Sequence, residues 1–185
     1  MAAASMYAQA LSELGQVFDG IDEAAVAEAV NIIAKARHVS VYGGGREGLQ
    51  IRGFAMRLFH LGRSVSVVGD MTTPAIGAGD LFLVTCGPGE ISTAMALVNV
   101  AKAAGAAVLV ITAQPEGRVS KLADTVLVLP AQTMANDQGQ GVSVLPMGSV
   151  FEGALFVLFE VMILKLKAAL GVTSEAMRAN HTNLE

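Results

Sequence analysis

The chain has 185 residues with one cysteine and no tryptophan, and its 12 basic and 16 acidic residues give a net charge of −4. This length is enough for one domain with a sizeable core, and a single thiol excludes an internal disulfide and a multi-thiolate metal site. Because the sequence has no basic run, we expect neither nucleic acid nor an anionic membrane as a partner.

The first 36 residues carry two helical patterns. In the second, apolar residues recur every three to four positions after Asp22, which is placed to cap that helix. The opening residues, MAAASMYAQALSEL, lack the basic region of a secretory signal. The sequence therefore predicts a soluble protein of the cytoplasm.

From residue 39 onwards, short apolar runs alternate with helical segments. Runs of β-branched and leucine residues without polar alternation are typical of strands buried on both faces, and the helices between them are the crossovers of a parallel sheet. The sequence predicts an α/β fold, a three-layer α-β-α sandwich around a five-stranded parallel sheet. The predicted strands are 39–42, 65–68, 80–85, 107–112 and 125–129, and the predicted helices are 48–60, 91–104, a short one near 117–122, and 149–170.

Two late segments differ from this alternation. Residues 131–143 are polar and contain glycine, which predicts a mobile loop. The helix over 149–170 is apolar on most faces, but Glu160, Lys165 and Lys167 interrupt it, which excludes a membrane span. Because the whole chain is 53% hydrophobic, we expect this helix to pack both on the sheet and on another copy of the chain.

Two glycine-rich loops follow predicted strands, and each opens a helix. The first, GGGREG, spans residues 43–48, and the second, CGPGEIST, spans residues 86–93. Glycine lets backbone N–H groups approach an anion at a helix N-terminus, and the carboxyl ends of parallel strands meet at one crevice. We therefore expect both loops to bind one phosphorylated small molecule.

The first loop also matches a dinucleotide-binding fingerprint. The pattern G-x-G-x-x-G fits Gly43, Gly45 and Gly48, and Asp70 follows at about the distance of a ribose-binding acid. An oxidoreductase needs a substrate domain beside its nucleotide domain, and 185 residues leave no room for one. Dinucleotide binding therefore stays an alternative to the phosphorylated metabolite.

Longer motifs along the chain resemble one family. They are FAMRLFHLG (54–62), VSVVGD with TTP (65–74), the loop at 86–90, LPMGSVFE (145–152) and the terminal HTNLE (181–185). In this order and spacing, the chain resembles the sugar isomerase (SIS) domain family, within its 6-phospho-3-hexuloisomerase branch. The combination of LPMG-x-x-FE with a terminal His-x-Asn-Leu-Glu is far more specific than either glycine loop alone.

The resemblance implies a flavodoxin-like fold, a homotetramer and an isomerase that needs no cofactor and no metal. The implied reaction interconverts arabino-3-hexulose 6-phosphate and fructose 6-phosphate. The resemblance also implies one SIS domain over residues 1–185. This domain has N-terminal helices in 1–36, an α/β core in 37–172 and a tail in 173–185 that contributes to the site.

The same resemblance implies two catalytic residues. Moving a carbonyl between adjacent carbons requires a base that removes a proton and a group that relays protons to oxygen. Glu152 matches the family's proposed catalytic glutamate. His181 matches its near-terminal histidine, which looks like the ring-opening or proton-relay group and acts in its own or a neighbouring subunit.

The glycine loops depart from the family pattern. The family has a serine where this chain has Glu47, and the hydroxyl positions of its S-G-S-G-x-T loop read Cys86, Pro88 and Ile91. Proline also lacks a backbone N–H, and two unit charges about 4 Å apart repel by about 4 kcal/mol at an effective dielectric constant of about 20. A carboxylate beside a phosphate therefore needs a cation or a proton close by.

Three explanations of these departures stay open. In the first, Ser92 and Thr93 replace the lost hydroxyls, Arg46 and backbone N–H groups complete the phosphate site, and Glu47 faces Arg52 or the sugar. In the second, the ligand is a different sugar derivative that Glu47 binds directly. In the third, the chain is a non-catalytic sugar-phosphate-binding regulator. The predicted substrate-binding residues are Gly44, Gly45, Arg46, Glu47, Cys86, Gly87, Gly89, Glu90, Ser92 and Thr93.

Overall fold

Five parallel strands form the centre of the molecule, as the sequence predicts. The computed structural model describes residues 5–139 and 143–184. The strands are β1 (Val39–Gly43), β2 (Val65–Val67), β3 (Leu81–Thr85), β4 (Ala107–Thr112) and β5 (Thr125–Val128). The helices are α1 (Met6–Asp19), α2 (Glu23–Lys35), α3 (Gly45–His60), α4 (Ser92–Ala103), α5 (Ser149–Leu170) and α6 (Ser174–Ala179), with a 3₁₀ helix at Ser120–Leu122.

The strand order creates a switch point between β1 and β3. The sheet runs β2-β1-β3-β4-β5, and Val39 of β1 pairs with Val65 on one side and Leu81 on the other. The chain leaves β1 for the edge strand β2 and then returns past β1 to β3, so the direction of winding reverses there. Ligands of open α/β sheets bind outside the carboxyl ends of strands at such a point.

The sheet divides the apolar core into two layers. All five residues of β3 are buried, and successive side chains of a strand point to opposite faces. Leu81 and Leu83 pack with α2, α3 and α5, whereas Phe82 and Val84 pack with α4. This arrangement confirms the three-layer α-β-α architecture.

Helix α5 has the bounds that the sequence predicts. Its buried side chains contact α2 and α3, and the ring of Phe159 stacks on Phe54 with 4.4 Å between the ring centroids. Phe156 and Leu164, on its outer side, are 59% and 64% exposed in the single chain. Packing against another chain stays a prediction. None of the helices in residues 5–139 and 143–184 combines the length and the hydrophobicity needed to cross a membrane.

Helix α3 begins three residues earlier than predicted, inside the first glycine loop. A Cβ on Gly43 would lie 2.6 Å from the Thr85 hydroxyl oxygen, and one on Gly48 would lie 2.6 Å from the carbonyl oxygen of Gly43. Gly45 has a positive φ of 54°. These glycines let the first turn of α3 lie directly against the end of β1.

The segment after β5 is irregular where the structure describes it. Residues 131–139 and 143 have no helix or strand, and 140–142, also in the predicted mobile loop, lie outside the described residues. The N–H of Thr133 donates to the side chain of Asn136 at 2.8 Å, and Thr133 and Asp137 are buried. The first part of this loop is thus packed on the domain, and its mobility stays a prediction.

Candidate active site

A cavity of about 310 Å³ lies beside the switch point of the sheet. Both glycine-rich loops border it, together with the segment after β5 and the turn that opens α5. Its size is at the lower end of the range for small-molecule sites. The lining residues are Gly44, Gly45, Arg46, Glu47, Pro88, Ile91, Thr133, Met134, Gly148, Phe151 and Glu152.

Three helices begin at this cavity, and their first turns lack side-chain caps. The N-cap residues of α3, α4 and α5 are Gly44, Ile91 and Gly148, and none donates or accepts through a side-chain cap hydrogen bond. Helices α1, α2 and α6 begin elsewhere, and each is capped by a serine, aspartate or threonine side chain. Uncapped N–H groups and the positive ends of helix dipoles favour an anion at the cavity.

Glu152 lies in the first turn of α5 and faces Arg46 in the first turn of α3. Nη1 of Arg46 is 3.2 Å from Oε2 of Glu152 and donates to the hydroxyl of Ser149 at 2.6 Å. Burial raises the pKa of Glu152, and the charge of Arg46 opposes that rise. A carboxylate of this kind beside a cavity is suited to accept a proton from a ligand.

The turn before α5 holds this pair in place. Arg46 also donates to the carbonyl oxygen of Met147. Met147 has a left-handed backbone with φ 56°, and Gly148 follows with φ 79°. A left-handed conformation costs a non-glycine residue roughly 1–3 kcal/mol, and such strain is concentrated at functional sites. The LPMG motif thus places the acceptors of Arg46.

Glu47 lies between the two loops. It is 6% exposed, and the N–H of Gly87 lies 3.0 and 3.2 Å from its two carboxyl oxygens. Burial raises the pKa of Glu47 to about 7; the Gly87 N–H and the Thr85 hydroxyl oppose this rise, and the charge of Glu152 adds to it. Of the two partners predicted for Glu47, Arg52 is wrong, because Arg52 pairs with Asp70, and contact with the sugar stays a prediction.

Arg52 instead pairs with Asp70, the residue that would bind the ribose of a dinucleotide. Nη1 of Arg52 is 3.5 Å from Oδ1 of Asp70. Neither side chain lines the cavity. The ion pair gives Asp70 a role that requires no ribose.

The N–H groups of the second loop are largely used within the protein. Gly87 donates to Glu47, and Gly89 donates to the carbonyl oxygen of Cys86 at 2.9 Å. The side chain of Cys86 is buried in the core layer beside α4. Burial raises the pKa of its thiol to about 12, so the group is neutral. These three residues, predicted to bind substrate, do not line the cavity.

The remaining predicted residues of this loop are on the outer surface. Glu90 lies 2.8 Å from Arg118 in an exposed ion pair. Ser92 and Thr93, in the first turn of α4, are exposed and also do not line the cavity. The structure therefore brings Gly44, Gly45, Arg46, Glu47 and Glu152 together at the cavity and leaves the hydroxyl replacements outside it.

Sequence reasoning missed several residues of the cavity wall. The sequence marks Pro88 and Ile91 only as positions that lack the hydroxyl groups of the family, yet they form the wall on the second loop. Thr133 and Met134 fall in the predicted mobile loop. A signal for them existed, because the carboxyl end of a further parallel strand lies at the same edge of the sheet.

His181 lies at the other end of α3. Its ring stacks on His60 with 5.1 Å between the centroids, and the side chain of Asn180 donates to the carbonyl oxygen of His60 at 3.0 Å. His60 is the last residue of α3, whereas the cavity is at its first turn, and a helix of 16 residues is about 24 Å long. Within one chain, His181 does not reach the cavity.

Comparisons with known proteins identify the family of the chain. The model of the SIS domain family matches residues 32–157. A 3-hexulose-6-phosphate isomerase from Methylomonas aminofaciens is 39% identical over 178 residues, which cover 95% of this chain and 96% of that protein. A protein of the same name from Mycobacterium gastri is 41% identical over 165 residues, which cover 89% of this chain and 82% of the relative.

A solved structure from Methanococcus jannaschii shares the fold over nearly its whole length. The TM-score is 0.83 at 26% identity, with 96% of this chain and 97% of that chain covered. The molecular function inferred for that protein is 3-hexulose-6-phosphate isomerase. These matches confirm the resemblance carried by the sequence motifs. The chain belongs to the SIS domain family, among the relatives named 3-hexulose-6-phosphate isomerase.

Proposed function

We propose that the chain is a 3-hexulose-6-phosphate isomerase, which interconverts arabino-3-hexulose 6-phosphate and fructose 6-phosphate. Its relatives of that name extend over almost the whole chain. The observation that carries the proposal is the pairing of Glu152 with Arg46 at a cavity where three helices begin.

Glu152 is the base of the reaction. In the direction that forms fructose 6-phosphate, its carboxylate removes the proton from C2, beside the C3 carbonyl, and an enediol results. The same carboxyl group then returns the proton to C3. Burial raises the pKa of Glu152, and the charge of Arg46 opposes that rise and so favours the ionised form of this base. Together with the uncapped N–H groups of α3 and α5, Arg46 holds the phosphate.

One feature supports a second candidate, an isomerase of a different sugar derivative. The loop after β3 presents Pro88 and Ile91 to the cavity, where the family pattern has hydroxyl groups. Fewer hydroxyl donors suit a ligand that is held mainly by Arg46 and helix N-termini. A regulator without catalysis has no use for a base, so the Glu152 and Arg46 pair argues against it.

Incubation with fructose 6-phosphate in deuterated water tests the function. The isomerase exchanges the C3 proton of fructose 6-phosphate for deuterium, which NMR detects. Exchange in a different phosphosugar alone would favour the second candidate. Thermal stabilisation by fructose 6-phosphate without any exchange would identify a binding module instead.

We also propose a cytoplasmic homotetramer in which the tail of one subunit completes the cavity of another. The exposed Phe156 and Leu164 on α5 support a subunit interface, since large apolar side chains of this kind are usually covered. The distance between His181 and its own cavity supports a role in a neighbouring subunit. A phosphorylated sugar as substrate supports the assignment of the protein to the cytoplasm.

Mixing two variants of low activity tests the role of the tail. We expect His181→Ala to lower activity by about 10²-fold, because a group that protonates the ring oxygen as the sugar ring opens contributes at least that much. Assemblies refolded from His181→Ala and Glu152→Gln subunits together should regain activity that neither variant has alone, since some cavities then have both residues intact. Isomerase assays of each variant alone and of the mixture measure the regained activity.

The matched control is His38→Ala. His38 contacts the hydroxyls of Ser64 and Ser66, away from the cavity, so activity should not change. If size measurements show mixed assemblies and the mixture stays inactive, His181 does not act in a neighbouring subunit.

A further inference from the structure

Glu47 is a second carboxyl group in the cavity wall, and the reaction assigned to Glu152 does not use it. It stands in the first turn of α3, next to Arg46, and faces the loop after β3. The charged and titratable groups around it are Arg46 on its own helix, Glu152 on α5 and the neutral thiol of Cys86. Arg46 is paired with Glu152, so among the described residues no ion pair neutralises Glu47.

The side chain of Glu47 is held in one position. The N–H of Gly87 donates to its carboxyl group at 3.0 Å. A Cβ at Gly87 would lie 3.0 Å from Oε1 of Glu47 and 2.8 Å from the ring of Phe151, so only glycine leaves space for this contact. A carboxyl group fixed by a backbone donor keeps acceptor capacity and can also carry a proton toward the cavity.

We propose that Glu47 transfers protons to and from the sugar oxygens while Glu152 transfers the proton between the carbons. This role rests on the proposed isomerase function. As Glu152 removes the C2 proton, the electron pair forms the C2=C3 double bond and O3 takes the proton of the Glu47 carboxyl group. In the second half, Glu47 takes the proton of the O2 hydroxyl, C2 becomes the carbonyl and Glu152 protonates C3. Both carboxyl groups end in their starting states.

The position of Glu47 also explains how a carboxyl group is tolerated near a phosphate. Its burial favours the neutral acid, which does not repel an anion. The neutral acid is also the form that the first proton transfer needs. Since the pKa of Glu47 is about 7, activity should fall as the pH rises through that region and Glu47 ionises.

The pH profile of Glu47→Gln tests this role. Glutamine keeps an oxygen that accepts from Gly87 and has nearly the same shape, but it does not titrate. We expect kcat to fall by about 10²-fold with KM within about threefold of wild type, and the alkaline decline near neutral pH to disappear. A purely structural role would change KM and thermal stability without removing that decline.

Two further variants keep the test decisive. Glu160→Gln removes a carboxylate of α5 outside the cavity, and its profile should match wild type. If Glu47→Gln does not fold, Glu47→Asp retains a titrating group and should shift the alkaline decline. A Glu47→Gln enzyme with kcat within threefold of wild type, an unchanged decline, or an unshifted decline in Glu47→Asp overturns the role. If the wild-type chain does not isomerise the sugar phosphate, the proposed function itself is contradicted.

Discussion

Glu152→Gln is expected to lower kcat by about 10²- to 10⁴-fold, the contribution typical of a positioned general base. The amide cannot accept the carbon-bound proton. Its size is the same, and the amide oxygen can still lie beside Arg46, so KM should change by less than about threefold. Steady-state assays measure the loss, and deuterium exchange at C3 of fructose 6-phosphate should fall in parallel.

Glu160→Gln is the matched control on the same helix. Glu160 lies eight residues further along α5 and its Oε1 is 3.2 Å from Nε of Arg57, so it too is an ion-paired carboxylate. It does not line the cavity, and its replacement should leave kcat unchanged. A fully active Glu152→Gln enzyme would mean that another group is the base.

Arg46→Gln should weaken both binding and catalysis. Hydrogen bonds to charged groups contribute about 1.5–3 kcal/mol, so loss of the guanidinium should raise KM by roughly 10- to 100-fold. Arg46 also lowers the pKa of Glu152. Without it that pKa rises further, the base is protonated up to a higher pH, and the acidic limb of the kcat profile should move to higher pH.

Arg52→Gln supplies the comparison for this change. Arg52 is on the same helix and lies 3.5 Å from Asp70, outside the cavity, so its replacement should change neither KM nor the acidic limb. Kinetics over a pH series distinguish the two variants. If Arg46→Gln binds fructose 6-phosphate as wild type does, the phosphate is held elsewhere.

Much of the fold was predictable because the central strands β3 and β4 are buried on both faces. Short apolar runs mark all five strands, although Ser40 and Ser66 lie within two of them, and the bounds of β4 and α5 match the structure. The start of α3 was not predictable from propensity. Glycine disfavours helix, yet Gly45 opens one with a φ of 54°, and the absence of a Cβ at Gly43 and Gly48 lets the first turn approach β1.

The candidate site was predictable where a motif fixes a residue at a helix start. Arg46 and Glu152 were both expected, and the structure places them 3.2 Å apart. The spacing of residues in the sequence does not tell which side chains of the second loop point to the cavity. Cys86 continues the two-residue alternation of Phe82 and Val84 into the core, a signal that the loop composition concealed.

The uncapped first turns of α3, α4 and α5 set a limit on how stable this enzyme can become without losing function. A serine or aspartate at an N-cap stabilises a protein by about 1 kcal/mol relative to alanine and by a few tenths of a kcal/mol relative to glycine. At Gly44, whose φ of −83° permits such a residue, the new oxygen would occupy N–H groups that the phosphate needs. Selection for catalysis therefore opposes the simplest thermostabilising change at this end of the molecule.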